Sequence, residues 1–279
     1  MTYDAAFVRA PGGVDICYRV WGGDNPGPVI IVVHGVGAHA DYYAPICCEL
    51  ARRGAVAVAL DLRGHGRSGG RRGHVGRLED HLSDISAVWQ AVARSRPAFL
   101  LGESYGGLVS FYYALRHHEA TGRRVAGLVL SAPAFGVAGV QPAQVRLATT
   151  AARLVPLASV NTGIDMTRVS HRPHATQFVR RDPLWRRRLT LGFLHTMFSA
   201  QEQAVRLAPD LQVPSLWLIP GEDYVVSNAQ SRIVFAGAGN PDKTWREYPG
   251  AYHGLCLDRT EEVIADIWPW VQNRMVSGN

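Results

Sequence analysis

Short apolar runs rich in β-branched residues punctuate this chain, and longer stretches with helical spacing lie between them. Val29–Val33, Ala55–Leu60, Ala98–Leu101, Val125–Leu130, Ser215–Ile219 and Thr244–Tyr248 each end at a Gly, Pro, Asp, His or Ser signal, as buried strands do. The intervening segments Asp41–Arg53, Leu78–Arg94, Tyr105–His118, Asn228–Ala236 and Glu261–Met275 carry apolar residues at helical periodicity. Strand–helix alternation of this kind predicts a mostly parallel sheet covered by helices on both faces. Two opening runs, Ala6–Arg9 and Ile16–Trp21, are split by Pro11-Gly12-Gly13 and predict an antiparallel hairpin on one edge, making eight strands.

From about Pro133 to Asp210 the alternation stops. No strand is evident there, prolines recur, and the pattern is helical, so residues 133–210 read as a helical cap inserted between core segments 1–132 and 211–279. Charge sharpens that division. The formal net charge is +6, and residues 141–210 hold ten arginines against four carboxylates, which accounts for all of it. Lys243 is the sole lysine of the chain and lies between Asp242 and Thr244, which excludes a phosphate-binding loop and a kinase strand lysine. Cys17, Cys47, Cys48 and Cys256 form no Cys-x-x-Cys pair, so neither a zinc site nor a disulfide framework is expected. His171 and His174 show no acidic partner nearby, and no metal is predicted. With no signal-peptide pattern at the start, the expectation is a cytoplasmic protein that does not bind nucleic acid.

The chemistry centres on Gly102-Glu103-Ser104-Tyr105-Gly106-Gly107, which follows an apolar run and opens a helical pattern. That is the context of a nucleophile elbow, in which a strained turn presents Ser104 at a helix N-terminus. A serine hydroxyl needs a base and a group to orient the base. His253 follows the last strand and Asp223 follows the one before it, both at carboxyl ends where open α/β sheets bind ligands. Glu222, adjacent to Asp223, is the alternative acid. The order Ser104, Asp223, His253 is that of an α/β-hydrolase. The glycine turn after Val33 offers the N–H of Val36, and the elbow offers the N–H of Tyr105, as oxyanion donors. His34, His39 and His65 read as loop organisers. Cys256, three residues past His253, is expected near the mouth of the site.

The stretches HGVGAH at 34–39, DLRGHGRSGG-RRGH at 61–74, GESYGG at 102–107, GLVLSAPA at 127–134, DPL at 182–184 and YPGAYHG at 248–254 resemble the monoacylglycerol lipase and lysophospholipase branch of the α/β-hydrolases. They span most of the chain. Two departures stand out: the elbow carries Glu103 and Tyr105 where the family usually has His and Met, and the acid loop is one residue shorter. The resemblance implies hydrolysis of a small lipid-like ester by Ser104, His253 and Asp223 through an acyl-enzyme, without a cofactor, beneath a cap that forms the acyl pocket. Leu189, Phe193 and Met197 form an apolar stripe in the cap that would either line that pocket or pack as core. Arg180, Arg181 and Arg186–Arg188 around Trp185 are read either as a solvated face or as a lid resting transiently on a membrane surface or micelle. An aminopeptidase of the same superfamily would need an acidic clamp for a free amine. A non-catalytic receptor would not need the triad. Gly35-Val36-Gly37-Ala38-His39-Ala40 followed by Asp61 also matches a dinucleotide fingerprint, but an NAD-dependent oxidoreductase would leave Ser104 and His253 unexplained.

Overall fold

The computed structural model describes residues 3–121, 125–172, 177, 179 and 181–276; His174 and Arg180 lie outside these, as do the side chains of His117 and His118. Eight strands form one sheet: β1 (Asp4–Ala10), β2 (Val14–Trp21), β3 (Val29–Val33), β4 (Val56–Leu60), β5 (Ala98–Glu103), β6 (Gly127–Ser131), β9 (Ser215–Pro220) and β10 (Lys243–Tyr248). Their spatial order is β1-β2-β4-β3-β5-β6-β9-β10, and β1 and β2 are the antiparallel edge expected from the opening hairpin. The remaining neighbours are parallel.

Alternate residues of the central strands sort into two cores, which explains why their sequences lack polar alternation. Ile31, Val33, Val58, Leu60 and Leu100 face one apolar cluster, and Ile30, Val32, Ala57, Ala59 and Leu101 face the other. The first cluster is covered by α2 (Leu78–Val92) and α3 (Tyr105–Thr121), the second by α1 (Ala44–Arg52) and the C-terminal α8 (Thr260–Val276). Parallel register brings the carboxyl ends of β3, β5 and β6 level, with Val33 opposite Gly102 and Glu103 opposite Ser131. No described helix is long and apolar enough to cross a membrane.

Between β6 and β9 lie α4 (Pro142–Leu154), α5 (Leu191–Leu207) and a two-stranded antiparallel pair, β7 (Ser159–Asn161) with β8 (Arg188–Thr190). The pair corrects the expectation of a strand-free segment. Each strand is three residues long, and β7 is exposed throughout, so neither leaves a periodic signal in the sequence. Two further helices, α6 (Asn228–Gly237) and the short α7 (Leu255–Asp258), complete the core.

Candidate active site

Ser104 occupies the turn between β5 and α3 with φ +58°, the left-handed region that a side chain enters only when its surroundings hold it there. Its surroundings do. The Ser104 N–H donates to the Ser131 carbonyl at 2.9 Å, and the Ser104 carbonyl accepts from the N–H groups of Gly107 and Ala134. A Cβ on Gly106 would collide with the Val33 carbonyl, and one on Gly102 with the Gly106 backbone, so both positions need glycine. Gly35 packs close enough that an added Cβ would lie 3.0 Å from that of Ser104. The glycine turn carrying Val36 is therefore pressed against the elbow, and the amide of Tyr105 lies in the first turn of α3, where N–H groups lack intrahelical partners.

His253 and Asp223 sit on the loops that follow β10 and β9. Nδ1 of His253 is 2.8 Å from Oδ2 of Asp223, and both side chains are almost wholly buried. The other oxygen of Asp223 accepts from the N–H groups of Val225 and Val226 at 2.8 and 2.9 Å, which fixes the carboxylate. Burial pushes the His253 imidazole down, but the charge of Asp223, the hydrogen bond to it and the charge of Glu103 together hold it above its ordinary value. Glu222, the alternative acid, instead accepts from the Tyr224 hydroxyl at 3.3 Å. Ser104 and His253 line one predominantly apolar cavity, together with Val36, Trp185, Met166 and Leu257.

A buried polar frame supports the glycine turn. Nε2 of His34 accepts the Leu62 N–H at 3.0 Å and its Nδ1–H donates to the Gly35 carbonyl at 2.8 Å; burial pushes this imidazole down to about 4. Asp61, also buried, accepts from the N–H groups of Ala40 and Arg67 at 2.7 and 2.8 Å and pairs with buried Arg19. Those contacts occupy the carboxylate that a dinucleotide ribose would require, so the fingerprint match has a structural origin. From the inserted segment, Asp182 accepts from His39 Nε2–H at 2.6 Å and from the Tyr42 hydroxyl at 2.8 Å, while the Arg186 N–H donates to the Gly37 carbonyl at 2.9 Å. The insert thus grips the same turn from above. Sequence reasoning gave no role to Tyr42 and no partner to Asp182, because their contact spans 140 residues.

The structure bears on two open alternatives and corrects one expectation. Leu189, Phe193 and Met197 are buried in the larger apolar core, where Phe193 packs on Tyr105, His65 and His81, and they are absent from the described cavity lining. Their stripe faces the body of the molecule because α5 lies against it; the wall over Ser104 comes instead from Ile164, Met166, Val169 and Trp185. Cys256 is buried rather than exposed at the mouth, and burial, then the nearby charge of Glu103, raise its thiol well above the usual range. Trp185 turns inward onto Tyr42, with ring centroids 5.6 Å apart, while Arg186 and Arg188 donate to carbonyls of the insert itself. His171, which lacks an acidic neighbour in sequence, meets Asp258 across the fold.

Residues 24–260 match the model of the Hydrolase_4 family, described as serine aminopeptidase, S33. The chain is 29% identical to the monoacylglycerol lipase of Mycolicibacterium smegmatis over 95% of both chains. It is 27% identical to phospholipase YtpA of Bacillus subtilis, covering 88% of this chain and 94% of that one. The crystal structure of the Paleococcus ferrophilus monoacylglycerol lipase superposes with a TM-score of 0.82 at 28% identity, covering 98% of this chain and 100% of that one.

Proposed function

The chain belongs to the Hydrolase_4 family of serine hydrolases, and we propose that it is a carboxylic ester hydrolase acting on monoacylglycerol-like or lysophospholipid-like esters. The observation that carries this reading is the buried 2.8 Å contact of His253 with Asp223 beside an apolar cavity that His253 shares with Ser104. Ser104 Oγ attacks the ester carbonyl as His253 takes its proton. Asp223 orients the ring and stabilises the imidazolium, and the N–H groups of Val36 and Tyr105 meet the developing oxyanion. The imidazolium then protonates the leaving alcohol, and water, deprotonated by His253, releases the acyl group. Residues 133–210 serve as the cap, closing the apolar wall around the acyl chain.

An aminopeptidase is the competing reading, since the family model carries that description. It needs a carboxylate free to hold a substrate ammonium. The carboxylate in the described cavity lining is Glu103, and three protein donors already occupy it. The apolar lining favours an acyl chain instead. Side-by-side assays of monoacylglycerols, lysophospholipids, p-nitrophenyl esters and amino-acid arylamides test this, with esters expected to be cleaved and arylamides not. Ser104→Ala should lower kcat on the order of 10⁶-fold; near-normal turnover would end the serine-hydrolase mechanism.

The cap also offers a face for contact with a lipid surface, at a different place from the arginine cluster first considered. Leu147 and Leu154, two turns apart on α4, are 72% and 81% exposed, and Val155 and Leu157 continue the apolar strip. Arg146 and Arg153 precede each leucine, so basic side chains run beside it. Each basic residue near an anionic surface contributes about 1 kcal/mol, screened by salt.

A further inference from the structure

Glu103 immediately precedes the nucleophile, and its carboxylate is the meeting point of three loops. Its Oε1 accepts the Ser131 hydroxyl at 3.1 Å and the Cys256 backbone N–H at 3.0 Å. Its Oε2 accepts the Tyr43 hydroxyl at 3.0 Å, and that hydroxyl in turn accepts the Gly35 N–H at 3.2 Å. Gly35 precedes Val36, Ser131 ends β6, and Cys256 follows His253 by three residues. One buried carboxylate therefore joins the glycine turn, the neighbouring strand end and the histidine loop to the elbow.

We propose that Glu103 is a positioning residue for ester hydrolysis, its buried carboxylate tying the Val36 turn and the His253 loop to Ser104. This inference rests on the triad reading given above. Hydrogen bonds to a buried carboxylate are directional and costly to break, so they suit a part that must hold loops in register. The charged groups facing His253 are Asp223, on its Nδ1 side, and Glu103. Tyr43 and Cys256, which sit beside Glu103, stay neutral because burial and then the Glu103 charge push both groups well above their usual ranges.

The test is the pH profile of kcat/KM on a soluble p-nitrophenyl ester for wild type, Glu103→Gln, Tyr43→Phe and Ser104→Ala. Glu103→Gln keeps the shape and removes the charge, so the acid limb should move to lower pH, by less than Asp223 itself contributes. Tyr43→Phe keeps the charge and cuts the tie to Gly35, so kcat should fall about tenfold with the acid limb in place, because small displacements of catalytic groups are expensive. A merely structural glutamate would lower activity without moving the limb. An unmoved limb in Glu103→Gln, or unchanged kcat in Tyr43→Phe, overturns the inference while Ser104-dependent hydrolysis remains. If Glu103→Gln does not fold, Tyr43→Phe still decides the tie. Wild-type turnover by Ser104→Ala overturns the triad reading, and this inference with it.

Discussion

Around the nucleophile elbow the key polar groups are buried and hydrogen-bonded, whereas on α4 of the insert large apolar side chains face solvent. Ser104, Glu103, His253, His34 and Asp61 are all under 9% exposed, yet hydrogen bonds from neighbouring loops hold them. Leu147 and Leu154 are largely exposed on a helix whose one buried residue is Ala152. The first arrangement is costly to build and serves fixed geometry, because a buried polar group without a partner loses its hydration without return. The second leaves apolar surface in water and is the face proposed above for lipid contact. Exposed apolar surface rimmed by charge marks a face that meets something else.

The comparison breaks most sharply at Asp223, the acid proposed to orient His253. Asp223→Asn should retain the fold and lose roughly 10⁴ in kcat, because the amide holds the imidazole in the wrong tautomer. Glu222→Gln, whose carboxylate meets only the Tyr224 hydroxyl among the described contacts, should leave kcat within a few-fold. Steady-state kinetics on a soluble ester decides between them, and the reverse ranking would move the orienting role to Glu222.

A smaller effect should appear in stability. Burial pushes His34 down to about 4 and His65 to about 3 from an ordinary value of 6.5, and it pushes His81 well below that value. The folded chain thus keeps these rings neutral while the unfolded chain protonates them near 6.5. Their stabilising effect is complete above that pH and is lost as pH falls toward the folded values. His34 and His65 should each remove about 2 kcal/mol of unfolding free energy between pH 7 and pH 5. Urea unfolding at the two values checks this; equal stability would mean that the rings gain charge without cost.

The smallest change in fold and soluble turnover is expected on α4. Leu147→Ser with Leu154→Ser should alter stability by no more than about 0.5 kcal/mol per site, since both side chains already face water. Hydrolysis of a short soluble ester should be unchanged. Partition onto anionic vesicles should drop about tenfold or more, because each leucine contributes up to roughly 2 kcal/mol when buried. Vesicle sedimentation at low salt is the measurement. Undiminished binding would place the lipid contact elsewhere on the cap.

What could be read from the linear chain was whatever depends on near neighbours. Runs such as Val29–Val33 declare a strand because five β-branched residues in a row fit a sheet buried on both faces, and the run before Gly102 followed by Gly106 declares an elbow because only glycine permits that turn. Ser104, Asp223 and His253 could be named because each falls where a strand ends, and strand ends are local signals. The tertiary structure alone decided which distant groups share one oxygen. Glu103 and Cys256 are 153 residues apart, and His39 and Asp182 are 143 apart, so no periodicity links them. It also decided the direction of the cap stripe: Leu189, Phe193 and Met197 have helical spacing that suits a pocket or a core equally well, and the packing of β8 and α5 against the body chose the core. Local spacing specifies a face, but only the surrounding chain determines what that face meets.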